Sequence, residues 1–273
     1  MLGKITVTEA QALKVHSFIS PEKGWQVNSH SIELSSQLLV IDSQYLLPYA
    51  REVVSYAAQL QKPITRLYIS HYHPDHLLGA AAFSAPIYAL REVSAKIAAV
   101  GERVARDEHE KFGEDVSTCV AMPTCIVKPG VETIDAVPVN FIHLEQAETQ
   151  DALMVGLPEQ GILITQDLVY NRVHAMVGEK AFESWTDALE TRKTVGYERI
   201  LPGHGSPGGK ELYSRMQHYL STARDLYARA TDGEDLKNKM IQAFPDYGGA
   251  GILDQQKRFL FPGAKKQRLS SER

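Results

Sequence analysis

Residues 71–76 read His71-Tyr72-His73-Pro74-Asp75-His76 and follow directly on the apolar, β-branched stretch Arg66-Leu67-Tyr68-Ile69-Ser70. Four potential metal ligands therefore fall within one turn at the end of a predicted strand. Packing does not explain such a density, because His and Asp are costly to bury unless paired or metal-bound. Side chains of an extended chain repeat with period two, so His71 and His73 point the same way and can converge on one cation. Asp75 and His76, beyond the break at Pro74, can turn toward a second.

Two later segments extend this pattern. Gly161-Ile162-Leu163-Ile164-Thr165-Gln166-Asp167 reads as a turn, a short apolar strand and a carboxylate at its tip. Arg199-Ile200-Leu201-Pro202-Gly203-His204-Gly205 reads as a strand running into a glycine-flanked His, where glycine permits tight backbone geometry near a metal. In this order, after the six-residue block, the chain resembles the metallo-β-lactamase superfamily, whose signature is His-X-His-X-Asp-His followed by further ligands from distant loops. The resemblance spans roughly residues 15–210. It implies a four-layer αβ/βα sandwich with the site where loops of both halves meet at one sheet edge; periodicity alone supports mixed α/β.

One position departs from that family. In place of the usual Gly-His-Thr turn stands Ala147-Glu148-Thr149, ahead of the strand-like Ala152-Leu153-Met154-Val155-Gly156-Leu157. Either Glu148 replaces the His as a ligand or the first metal position is crippled; two His plus one Glu is an established zinc ligand set. The stretch from Glu148 to His174 resembles the alkylsulfatase branch, which carries a Glu there. His143, in a strand-like run, is read as a hydrogen-bonded core or edge residue, and as the substitute ligand if Glu148 is not one.

The resemblance thus implies His71, His73 and Glu148 around one divalent ion, Asp75, His76 and His204 around a second, and Asp167 between them. Zinc is the expected metal, with manganese or iron also suited to nitrogen and oxygen donors. Such a pair, about 3.5–4 Å apart, lowers the pKa of a shared water toward about 7 and supplies hydroxide at neutral pH. Asp75 is placed to take its proton. Two dications offset by Asp75, Asp167 and Glu148 leave about one positive charge, which favours a small ester, lactone or sulfate ester over a polyanion. The competing expectations are a mononuclear iron oxygenase or thioester hydrolase of the same superfamily, and a non-catalytic metal-binding module. Tyr170, Arg172 and His174, just beyond Asp167, are expected to line the mouth and contact substrate.

Composition adds bounds. The 273 residues suffice for one α/β domain with a substantial core, and a net charge of -4 gives no footprint for nucleic acid. No apolar run is long enough for a membrane span, and residues 1–14 lack a secretory pattern, so a cytoplasmic location is expected. Cys119 and Cys125 lack metal spacing and are read as buried thiols. Strands are predicted at 5–9, 14–20, 27–34, 38–41 and around Phe141, Val155 and Ile164. Helices are predicted at 46–60, 93–111, 182–195 and 210–230. Residues 1–230 are expected to form the catalytic domain, with 231–273 a helical extension and tail. Helix 93–111 is a candidate lid, although its charged face, with Arg103, Arg106, Asp107, Glu108 and Glu110, is read as solvated. His16, His30, His109 and His218 are assigned no function. The tail around Gly248–Leu253, with Phe259 and Phe261, is expected to cover the pocket or a partner subunit, so a homodimer is among the expectations. Residues 265–273 are read as disordered.

Overall fold

The computed structural model describes residues 2–11 and 13–262. The segment 265–273 lies outside them. The first sheet starts with an antiparallel meander, β1 (Lys4–Ala10), β2 (Leu13–Ile19), β3 (Asn28–Glu33) and β4 (Leu38–Ile41). It continues in parallel through β5 (Ile64–Tyr68), β6 (Ile87–Leu90) and β7 (Cys125–Val127). The second sheet holds β8 (Gly130–Ile134), β9 (Val137–Glu145), β10 (Asp151–Leu157) and β11 (Ile162–Asn171) as an antiparallel run, with β12 (Arg199–Gly205) parallel to β11 at its edge.

The helices follow from their sequences. Helix α1 (Leu47–Gln59) has a proline in its first turn, where no amide donor is needed, and buries the stripe Tyr49, Ala50, Val53 and Ala57. The one-turn α2 (Pro74–Leu77) begins at the proline of the His-rich block. Helix α3 (Arg91–Phe112) packs on β6 and β7 and stops at Gly113, whose φ of 57° breaks the helix. Helices α4 (Phe182–Lys193) and α5 (Glu211–Tyr227) pack on β11, while α6 (Gly233–Ala243) and α7 (Ala250–Leu260) pack on one another. Asp232 caps α6 by accepting the amides of Glu234 and Asp235 at 2.9 Å, an arrangement worth about 1 kcal/mol.

The sheets face each other, β12 against β2 and β3, and β10 against β6. With helices outside both, this is the expected αβ/βα sandwich. Strands β10 and β11 are buried almost throughout, which is why both read as near-continuous apolar runs. No helix among the described residues is long and apolar enough to cross a membrane. The thiols depart from expectation: Cys119 is exposed and Cys125 half-buried, and both are free.

Candidate metal centre

The site lies at one end of the facing sheets, and most of its side chains come from strand ends or loops; Asp167, expected at a strand tip, lies inside β11, which runs on to Asn171. Residues 71–73 leave β5; Pro74 then opens α2, turning Asp75 and His76 inward, both buried. The β9–β10 hairpin loop carries Glu148, Asp167 sits within β11, and His204 lies near the end of β12. The pairing of β11 with β12 shifts between Gln166 and Tyr170, an irregularity that re-aims the strand beside the site. Gly203 is dictated by proximity: a Cβ there would collide with the Asp167 carboxylate and approach the Gln166 carbonyl carbon at 2.8 Å. Gly205 adopts φ 80° against the Asn171 carbonyl, where a side chain would be both strained and obstructed.

Seven predicted ligands converge. His71 Nε2 lies 3.7 Å from both Glu148 Oε2 and Asp167 Oδ2, and His73 Nδ1 is 3.1 Å from Glu148 Oε1. Across Asp167, His76 Nε2 is 3.1 Å from Oδ1 and His204 Nε2 is 3.5 Å from Oδ2. Asp75 Oδ2 completes the second group, 3.2 Å from His204 Nε2 and 3.6 Å from His76 Nε2. The donors thus fall into two groups, His71, His73, Glu148 and Asp167 on one side and Asp75, His76 and His204 on the other.

Hydrogen bonding decides which ring nitrogens face inward. Ser70 Oγ donates to Asp42 Oδ2 at 2.6 Å, so it accepts from His71 Nδ1 at 2.9 Å. His76 Nδ1 donates to Asp42 Oδ2 at 2.7 Å, and His204 Nδ1 donates to the Trp25 carbonyl at 2.8 Å. With the outer nitrogens of these three rings so used, their Nε2 atoms present lone pairs to the interior. His76 Nε2 and His204 Nε2 are only 3.4 Å apart. Two lone pairs cannot stay that close in a buried site without a cation or proton between them.

Asp42 was missed from the sequence. It is fully buried with φ 62°, and also accepts Ser70 N at 2.6 Å and Gln166 Nε2. The signal was present: Leu38-Leu39-Val40-Ile41-Asp42 is an apolar strand ending in a carboxylate, the same pattern that identified Asp167. His30, given no function, is a core residue beside the site; its Nε2 donates to the Pro202 carbonyl at 2.9 Å, and burial lowers it to about 4.

Burial and mutual charge oppose one another within the cluster. Burial disfavours charge on every member, but the neighbouring opposite charges outweigh it at several. Asp167, Asp75 and Asp42 hold His76 well above its usual range, and Asp167 with Asp75 brings His204 to about 9. His76 and His204 in turn hold Asp167 well below the carboxylate range and Asp75 at about 2. For Glu148 burial wins, pushing it up to about 7 despite His73, and for His71 burial and the charge of His76 hold it well below 6.5. The donor set fits divalent metal: His71 Nε2, Asp167 Oδ1 and both Glu148 carboxylate oxygens are buried without a hydrogen-bond partner.

A cavity of about 390 Å³ opens beside the cluster and reaches His73, Asp75 and Tyr170. The Tyr170 hydroxyl donates to Asp167 Oδ2, and its ring stacks on His204 at 4.6 Å and 7°. The other two expected substrate contacts are placed elsewhere. Arg172 is exposed, and its carbonyl accepts the amide of Gly248; His174 is buried, with Nδ1 3.2 Å from the Tyr219 hydroxyl. Neither lines the cavity, because both residues dock the segment that leads into α7. His143 contacts Asp151 at 2.8 Å, the hydrogen-bonded strand residue expected. Glu108, read as solvated, is instead buried in the cavity wall.

The model of the Metallo-beta-lactamase superfamily matches residues 23–204, two-thirds of the chain and the segment that carries every one of these donors. The chain belongs to the metallo-beta-lactamase superfamily. A linear primary-alkylsulfatase of Pseudomonas sp. (strain ATCC 19151) is 25% identical over 74% of this chain, which spans only 45% of that relative's length. Among solved structures, a metallo-beta-lactamase from Pontibacter korlensis matches 80% of this chain and 99% of its own, with a TM-score of 0.61 and 19% identity. The metallo-beta-lactamase FIM-1 from Pseudomonas aeruginosa, in its mono-zinc form, matches 81% and 96%, with a TM-score of 0.59 and 18% identity. At these identities the structural likenesses establish the fold of this superfamily member.

Proposed function

We propose that this protein is a dinuclear metal-dependent hydrolase acting on a small ester-type bond, with a sulfate ester the favoured substrate class. His71, His73 and Glu148 would hold one divalent cation, and Asp75, His76 and His204 the other, with Asp167 shared. The observation that carries the reading is the facing of buried donors: the 3.4 Å approach of His76 Nε2 and His204 Nε2 and the partnerless oxygens of Glu148. Bound there, zinc or a similar ion supplies Lewis acidity, which polarises the electrophile and acidifies water near neutral pH.

The chain's own residues do the rest. Asp42 and the Trp25 carbonyl orient the His76 and His204 rings through hydrogen bonds to their Nδ1 atoms. Asp75 lines the cavity and is ionised at neutral pH, so it would accept a proton from the attacking water. Tyr170 directs its hydroxyl at Asp167, and its ring walls the His204 side of the site. Glu148 adds a negative charge where the family usually carries a neutral imidazole. This lowers the attraction for polyanions and favours a substrate with at most one charge. The likeness to an alkylsulfatase supports the sulfate-ester assignment.

The test is a panel of carboxylic ester, lactone, thioester, phosphodiester and sulfate-ester substrates with zinc- or manganese-loaded protein. Chelator-sensitive turnover of ester, lactone or sulfate ester is expected. Failure on every member by protein shown to carry metal would overturn the reading.

A further inference from the structure

A second set of metal-binding side chains stands apart from the centre described above, on the β9–β10 hairpin. His143 and Glu145 are two residues apart on β9, so they share a face, and Asp151 of β10 is the direct cross-strand partner of Glu145. One donor atom from each of the three lies within 4.8 Å of the others, and none of the three belongs to the inner donor groups or lines the cavity. We propose that His143, Glu145 and Asp151 form an auxiliary divalent-cation site, weaker than the two inner sites, that fastens the base of the loop carrying Glu148. Such a site needs no catalysis and is independent of the hydrolase reading.

Charge, spacing and access each support it. Glu145 and Asp151 face one another directly across the two strands, where like charges are destabilising, and among the described residues no Lys or Arg pairs with either. A divalent cation removes that repulsion. His143 Nε2 lies 2.8 Å from Asp151 Oδ1. Two donors bonded at about 2.1 Å to one octahedral ion sit about 3 Å apart, so these atoms already have the spacing of adjacent ligands. The ion takes the place of the proton shared in that bond, and the proton leaves to solvent. The side chains of His143 and Asp151 are 22% and 24% exposed and Glu145 is exposed, so the sheet holds the donors on one side and water reaches them on the other. One imidazole and two carboxylates suit manganese or zinc, with water completing the shell. The position gives the site its consequence. The loop above it closes on itself, Gln146 N donating to Gln150 O at 3.0 Å and Ala147 N to Thr149 O at 3.1 Å, with Glu148 at its tip. An ion held between Glu145 and Asp151 ties together the last paired residues below that loop, so the base of the hairpin opens only when the ion leaves.

The experiment loads the protein with zinc, dialyses it, and titrates it with manganese, following loss of the paramagnetic resonance signal of free aqueous manganese. Zinc holds the inner sites against manganese by the usual order of affinities. One further ion per chain is expected. Glu145→Gln and His143→Gln each remove a ligand, and each should weaken this ion by at least the roughly tenfold that loss of an outer-shell partner costs. Glu145 is exposed, so its variant keeps the fold. Hydrogen exchange of segment 145–151 is the second readout: manganese at about ten times its dissociation constant should slow exchange about tenfold in the wild type and leave Glu145→Gln unchanged. No saturable manganese binding, or binding that both variants retain, would overturn the site. Unaltered exchange in a wild type that binds the ion would overturn its role at the base of the loop. One ion per chain, lost in both variants of a protein that hydrolyses nothing, would uphold the auxiliary site and count against the hydrolase reading alone.

Discussion

Replacing Asp42 by Asn tests whether a residue outside the ligand set controls the metal. Asp42 Oδ2 receives His76 Nδ1, Ser70 Oγ and Gln166 Nε2, while Oδ1 receives the Ser70 amide. Asparagine has one acceptor oxygen. Whichever way its amide turns, the NH₂ faces a donor; the least costly choice sets it against the Ser70 N–H. That leaves buried donors unsatisfied at about 1–3 kcal/mol, and the His76 bond loses its charge assistance. A ligating His that loses its carboxylate partner typically costs about 10–100-fold in metal affinity, or about 1.4–2.8 kcal/mol. Zinc affinity measured by competition with a chromophoric chelator should fall within that range, and the melting temperature of the metal-free variant, measured in parallel, should also drop. Wild-type affinity in a folded Asp42→Asn protein would refute the claim that Asp42 orients His76.

Three further outcomes are expected. Glu148→Gln should lose one equivalent of metal while Glu148→His retains it, read by elemental analysis after dialysis; retention of both ions by Glu148→Gln would remove Glu148 from the ligand set. Metal-free protein should become less stable as pH rises from about 6 to 9, because His204 titrates near 9 in the fold against an ordinary value of 6.5, so its contribution is complete below 6.5 and lost on approaching 9. Glu148, raised to about 7, adds to the same loss from its ordinary value upward, whereas the gain in melting temperature on adding zinc should grow with pH as protons cease to compete. Gly203→Ala should abolish metal binding and lower stability, since its methyl group would occupy the Asp167 carboxylate's position; near-normal zinc binding would show that β12 can shift.

The parts legible from sequence were those in which unlike residue types crowd together. Three His and an Asp in six residues, a carboxylate ending an apolar strand and a glycine-flanked His each defy a packing explanation, and all converge. The parts not legible lacked such a contrast. Strand β7 has three residues, and β8 exposes most of its length, so neither shows the alternation of a half-buried strand. The second half of α7 reads as amphipathic, but its start, Gly248-Gly249-Ala250-Gly251, is a turn composition; the fold uses Gly249 at φ 73° to enter the helix, a tertiary outcome no local rule supplies. The directions of Arg172 and His174 were not legible, because proximity to Asp167 in sequence does not determine direction. β11 ends at Asn171, and the chain beyond it turns to dock against Gly248. Glu108 sat in a charged helical face and was read by composition, whereas its partners Tyr45 and Gln255 come from distant segments.

The most direct measurement is the metal content of protein loaded and then dialysed against chelator-treated buffer, compared with His76→Ala and Glu148→Ala. Two divalent ions per wild-type chain and about one in each variant are the predicted result. A wild-type chain that holds none, or variants that hold as many as the wild type, would contradict the assignment of these side chains to a pair of cations.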